Sequence, residues 1–132
     1  MENSTFHKVR LSVLWLVSEV GMLAMTILEF YLPGVIDQIR MGEKEGVKMG
    51  PELLLFFTIM FLVPLVMAFL SLTLKNKANR WANIILGIVY TVLLVIVLVG
   101  HLANLSALTI LNASDAVFAA LIVWYAYKQS KG

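Results

Sequence analysis

The sequence predicts an all-α protein, an integral membrane four-helix bundle with both termini inside the cell (N-in/C-in). Three observations carry this expectation. Of 132 residues, 61% are hydrophobic, with a mean hydropathy of +0.90. A soluble domain of this size cannot hide so much apolar surface, because small folds bury only part of their chain. The apolar residues fall into four runs, at 11–32, 52–74, 81–102 and 106–127. Each is close to the roughly 20 residues that carry a helix across a bilayer. Within the runs, polar residues recur at alternating steps of three and four, the stripe that a packed helix turns toward its neighbours. One domain over residues 1–132 follows.

Residues 1–10, MENSTFHKVR, read as a polar lead into the first span. The apolar run that follows is too long for a signal peptide, and no small-residue cleavage site ends it. Its inward stripe is Ser12, Trp15, Glu19, Met22, Thr26 and Glu29, with Ser18 off the stripe. An acid inside a membrane is costly and usually has a task, which makes Glu19 a candidate. Glu29 lies near the end of the span, where it either serves the site or reaches headgroups. Pro33-Gly34 stops the helix. Val35, Ile36 and Ile39 alternate with Asp37, Gln38 and Arg40 as a short amphipathic turn. MGEKEGVKMG, residues 41–50, reads as a solvated loop.

The second span opens with Pro51 and Glu52, which suit the first turn of a helix. Pro64 falls mid-span, kinks the helix and frees the carbonyl of Met60. That carbonyl serves either an ion or water, or nothing beyond packing. KNKANR, residues 75–80, reads as a basic turn. The third span carries the stripe Asn83, Gly87, Tyr90, Leu94, Val97, His101 and Asn104, with Thr91 off it. The fourth carries Leu108, Asn112, Asp115, Ala119, Ile122 and Ala126. Ala116 and Ala120 form a small-xxx-small pair for a partner helix. Trp124, Tyr125 and Tyr127, followed by Lys128 and Lys131, form an aromatic belt with a basic tail.

Orientation follows from Lys and Arg. The N-terminus, the 2–3 turn and the C-terminus hold seven, the 1–2 loop three and the 3–4 loop none. Basic loops stay cytoplasmic, which puts both termini there and the protein in the cell membrane. Counting inward at about 1.5 Å per residue places Glu19, Asp115, Tyr90 and Pro64 near one depth. Glu29, His101, Asn104 and Asn112 form a second polar layer nearer the outer face. Two carboxylates at one depth in a dry core cannot both be bare anions. Either they share a proton, or a cation sits between them, or water reaches them. The competing explanation is a structural pair that holds the bundle in register.

Other chemistry finds no support. The chain has no cysteine, so thiolate metal sites and Cys nucleophiles are excluded. A net charge of +2 is too small to suggest nucleic acid. There is no Gly-rich phosphate loop and no H-E-x-x-H, and His7 is far from His101 along the chain. No metal site, no cofactor and no enzyme is expected.

The segments NRWANIILGIVYT (79–91) and LIVWYAYK (121–128) resemble those of a family of small prokaryotic membrane proteins. That family has four predicted helices and is catalogued as a domain of unknown function. LPG (32–34) and LSLTL (70–74) fall where similar pieces are expected. The resemblance implies a four-helix, multi-pass layout and no assigned activity. The chain departs from it at Thr26, where relatives tend to carry an acid, and in LSALTILN, which replaces an aromatic cluster. The mid-span-4 acid, often Glu in relatives, is here Asp115.

The leading functional expectation is a small oligomeric transporter or channel-like subunit for protons, a cation, or a cationic or amphipathic solute. Glu19 and Asp115 would bear the charge, Tyr90 would donate a hydrogen bond and the Pro64 kink would permit movement. The alternative is a non-transporting accessory or apolar-ligand-binding protein, with a ligand in the bundle or a partner helix on Ala116 and Ala120. The interior decides between them. A wet path favours transport, a closed apolar pocket favours binding, and a packed core favours a structural role.

Overall fold

The computed structural model describes residues 2–101 and 107–129; for residues 2–4, 101 and 107 it describes the backbone alone. Four long helices carry the fold: α1 (Glu2–Glu29), α3 (Pro51–Thr73), α4 (Asn76–His101) and α5 (Ala107–Lys128). A short helix, α2 (Val35–Arg40), and a two-stranded ribbon, β1 (Glu43–Lys44) with β2 (Val47–Lys48), join α1 to α3. The long helices alternate in direction along the chain. One end of the bundle therefore holds the start of α1, the end of α5 and the α3–α4 turn, and is called the terminal end. The hairpin end holds α2 and the ribbon.

Two helices start earlier than the hydropathy runs suggest. The polar lead 2–10 is helical, since nothing in it breaks a helix. It also has something to pack on: the Arg10 guanidinium lies 4.4 Å from the Phe6 ring centre and 4.2 Å from that of Tyr125 on α5. A cation between two aromatic faces joins α1 to α5. Most of the expected basic turn 75–80 likewise belongs to α4, which begins at Asn76. Asn79 and Arg80 both find partners at the end of α5. Hydropathy marks where a helix is apolar, and these turns are held by polar contacts instead.

α1 ends four residues before Pro33-Gly34, with Gly34 in the left-handed region at φ 83°. The segment expected as a plain solvated loop is ordered. Glu45 and Gly46, at φ 52° and 81°, make the tight turn of the ribbon, the combination that suits the right-handed twist of two antiparallel strands. The backbone N–H of Glu45 donates to Gln38 Oε1 at 3.0 Å, and Lys44 Nζ reaches Glu29 Oε2 at 3.1 Å. The ribbon is thereby tied to α2 and to the end of α1.

α1 lies between α3 and α5, and α5 packs in turn on α4. α3 and α4, although consecutive, touch only briefly. The core consists of Leu11, Trp15 and Met22 from α1, Met67 and Ala68 from α3, Tyr90 and Leu94 from α4, and Ala116, Ala119, Ile122 and Ala126 from α5. α4 and α5 meet closely at Gly87, where a Cβ would stand 2.8 Å from Val123 Cγ2. On α3 no residue before Pro64 is buried, and among the described residues of α4 none after Leu94 is. The terminal half of the bundle is thus tightly packed and the hairpin half is looser. Outward positions are apolar along every long helix, including Val20, Phe69, Ile96 and Val117. Among the described residues four helices, Thr5–Glu29, Pro51–Thr73, Asn76–Gly100 and Leu108–Lys128, are long and apolar enough to cross a membrane.

Candidate functional site

The buried polar residues form two groups, one centred on a saturated amide and one on a pair of acids. The first lies in the terminal half and centres on Asn83. Its Oδ1 accepts from Trp15 Nε1 at 2.7 Å and from Ser71 Oγ at 3.2 Å. Its Nδ2 donates to the Asn79 carbonyl at 2.8 Å and to Asn79 Oδ1 at 3.0 Å. An amide has two acceptor and two donor positions, so Asn83 is saturated. Asn79 Nδ2 continues the chain to Gln129 Oε1 at 3.4 Å. Trp15, Ser71, Asn83 and Gln129 come from α1, α3, α4 and the end of α5, so one network ties all four long helices together. Ser12 Oγ adds a bond to the Ala68 carbonyl at 2.7 Å. Trp15 also meets Tyr90 edge to face, with ring centres 5.5 Å apart.

The second group lies near mid-bundle on the α1–α5 interface. Glu19 and Asp115 are 4% and 1% exposed. The two carboxylates interact electrostatically, as do Glu19 and Tyr90. Asp115 leans on the α1 backbone, where the absent side chain of Gly21 makes room: a Cβ there would collide with Asp115 Oδ1 and lie 2.8 Å from its Cγ. Asn112, one turn from Asp115 on the same face, is also buried. Glu19 Oε2, Asp115 Oδ2 and Asn112 Oδ1 are all buried without a hydrogen-bond partner. Among the described residues the other buried unpartnered side-chain atoms are His7 Nδ1, Arg80 Nε and Gln129 Nε2, all toward the terminal end.

Above this layer, toward the hairpin end, lies a pocket of about 580 Å³. α1 contributes Met25, Thr26 and Glu29, and α5 contributes Leu108, Thr109 and Asn112. α2 and the ribbon close over it with Val35, Gln38, Ile39 and Lys44, joined by Met49 just after the ribbon. The lining is mostly apolar, with the Glu29–Lys44 ion pair on its wall. Asn112 belongs both to this lining and to the buried polar layer, and so forms the threshold between pocket and acids.

Several expected site residues are placed differently from the sequence reading. Tyr90 does not bond to either acid; its hydroxyl donates to the Met60 carbonyl at 2.7 Å, the group that Pro64 frees from the helix ladder. Glu29 pairs with Lys44, and a bond to headgroups is not needed to account for it. Ser18, expected off the stripe, is 4% exposed. The stripe of α4 ends at Leu94, since Val97 is 37% exposed. His101 closes α4, and its side chain lies outside the described residues, as does all of Asn104. Ala116 is buried inside the bundle while Ala120 is exposed, so the pair does not form one free face. Among the described residues no three His, Asp or Glu side chains gather as a metal site.

Sequence reasoning missed Gly21, Asn79, Gln129 and Lys44. Gly21 left a signal, because a glycine inside a helix costs about 1 kcal/mol relative to alanine and in apolar helices commonly marks a close approach. Lys44 left none, because its partner is set by a ribbon that the loop composition does not announce.

Fold and site together define a bundle of four membrane-length helices with a polar interior layer under an apolar pocket. The chain belongs to a family of unknown function, DUF6326, whose profile matches residues 1–129. No significant match was found among curated proteins or solved structures.

Proposed function

We propose that the four helices cross the cell membrane with both termini cytoplasmic, and that the protein binds a small cationic amphipathic solute in the hairpin-end pocket. The supporting observation is the set of three buried, unpartnered oxygens on Glu19, Asp115 and Asn112 beneath a mostly apolar cavity. An unpaired buried acceptor is expensive, and a cation entering from above compensates three at once. The pocket lies within the range of about 300–1,000 Å³ usual for small-molecule sites. Its walls suit an apolar body. The excess of basic residues at the terminal end supports a cytoplasmic position for that end, and the pocket then faces outward.

Binding is favoured over transport by the other half of the bundle. The Asn83 network closes the terminal half with hydrogen bonds among all four long helices. A transporter would have to part them. Transport stays as the second reading because the acids lie near mid-depth, where alternating access would need them. The test is calorimetric binding of 2-phenylethylammonium to the protein in lipid nanodiscs, followed by uptake into proteoliposomes. Binding is expected to weaken by about tenfold or more in Asp115→Asn and on filling the pocket with Leu108→Trp. Equal binding by wild type and both variants would sink the proposal, and protein-dependent uptake would promote the transport reading.

A further inference from the structure

We propose that the cation this pocket selects is a primary ammonium, held by Glu19 Oε2, Asp115 Oδ2 and Asn112 Oδ1. The inference rests on the outer-pocket reading above and adds the chemical class of the headgroup. All three unpartnered atoms are acceptors. A quaternary ammonium would neutralise charge but bring no hydrogen to them. A divalent metal ion usually asks for about six oxygen ligands, and no third acid or histidine joins the pair among the described residues. A primary ammonium carries three N–H donors on a compact head, one for each acceptor.

The geometry suits such a head on a short arm. Asn112 lies on the pocket wall, and Asp115 is three residues further along α5, about 4.5 Å deeper. An arm of a few methylenes carries the nitrogen past Asn112 while the apolar body stays among Met25, Val35, Ile39 and Leu108. The missing side chain at Gly21 lets Asp115 lie against the α1 backbone, within electrostatic reach of Glu19. The chain itself offers a precedent: the primary ammonium of Lys44 already sits on the pocket carboxylate Glu29 at 3.1 Å.

The experiment compares three probes of one shape in nanodiscs: 2-phenylethylammonium, its N,N,N-trimethyl analogue and neutral 2-phenylethanol. The primary amine is expected to bind tightest, by about tenfold or more over the trimethyl compound. Asn112→Leu removes one acceptor and should narrow that ratio, with Asn112→Thr as a conservative second variant if leucine impairs folding. Should the trimethyl compound bind as tightly as the amine while Asp115→Asn weakens both, the primary-ammonium inference fails and the cation pocket stands. Should the alcohol bind as well as either cation, or none of the three bind, both proposals fall.

Discussion

A carboxylate inside an apolar bundle is costly unless something compensates it, and single residues here show two solutions. Asn83 fills all four of its hydrogen-bonding positions within the protein, whereas Glu19 and Asp115 each keep a buried oxygen unpaired. Substitutions at the two places should therefore act in opposite directions. Asn83→Ala orphans Trp15 Nε1 and is expected to cost about 2 kcal/mol, less than the full burial penalty because a membrane-embedded unfolded state also finds partners. Asp115→Asn removes a charge and supplies a donor beside Glu19, so the melting temperature should hold or rise while ligand binding falls. Thermal unfolding in one detergent reads both; a loss at Asp115→Asn as large as at Asn83→Ala would mean that the acids are structural. Gly21 is the third informative position. Alanine there gains helix propensity worth about 1 kcal/mol, yet its Cβ collides with the Asp115 carboxylate. Aspartate has too short a side chain to swing clear, and overpacking costs about 1–3 kcal/mol, so the net effect should be destabilising. Gly21→Ala in an Asp115→Ala background should recover most of the loss. Failure of that rescue would show that the close approach does not involve Asp115.

At the scale of elements, α3 and α4 are joined less by packing than by two hydrogen bonds, Ser71 to Asn83 and Tyr90 to the Met60 carbonyl. Pro64 lacks the N–H that would cap the Met60 carbonyl in a regular helix, and the Tyr90 hydroxyl supplies the missing donor at 2.7 Å. This favours the packing explanation of the kink over ion or water ligation. It also predicts coupling between the two positions. Tyr90→Phe alone should destabilise by about 1 kcal/mol, since the carbonyl is left bare in an apolar setting. Pro64→Ala restores the N–H at residue 64, and against that background Tyr90→Phe should cost little. A double-mutant cycle on thermal stability measures this; additive losses would show that Tyr90 acts elsewhere. The pair also shows what could be read in the sequence. Periodicity placed Trp15, Glu19, Met22, Asn112 and Asp115 inside, because side-chain direction in a helix depends only on its own spacing. It could not tell that Tyr90 would turn to Met60 instead of to Glu19, which depends on how two helices approach. Nor could it find the full extent of α1 and α4, whose polar turns are helical because Arg10, Asn79 and Arg80 have partners on α5 or just beyond its end. The ribbon that roofs the pocket was invisible for a similar reason. Its fixed points, the Glu45-Gly46 turn and the Lys44–Glu29 pair, lie in what composition marks only as a charged loop.

On the scale of the whole molecule, the two ends of the bundle are chemically unlike. The terminal end gathers Arg10, Lys75, Lys77, Arg80 and Lys128, with rings against several of the cations: Arg10 on Phe6 and Tyr125, and Lys128 on Trp124 at 4.5 Å. Amphipathic aromatic side chains beside cations suit the headgroup level of a bilayer, and an excess of Lys and Arg holds an end in the cytoplasm. The hairpin end has Arg40, Lys44 and Lys48, and two of these are engaged by acids, Arg40 with Asp37 and Lys44 with Glu29. Since acids contribute little to orientation, the excess of Lys and Arg at the terminal end counts here and net charge does not. Insertion with both termini in the cytoplasm, as proposed, would make the pocket extracellular and the Asn83 network the cytoplasmic seal. The prediction is direct because the chain has no cysteine. Glu45→Cys, at the exposed tip of the ribbon, and Lys77→Cys, exposed in the first turn of α4, are labelled in intact cells with a membrane-impermeant maleimide. Residue 45 should react from outside, and residue 77 only after the membrane is opened. The reverse pattern would invert the protein and turn the pocket toward the cytoplasm, where its solute would have to be an intracellular one. Reaction of both residues from the same side would mean that α3, the helix between them, does not cross the membrane, and the four-span arrangement would fall with it.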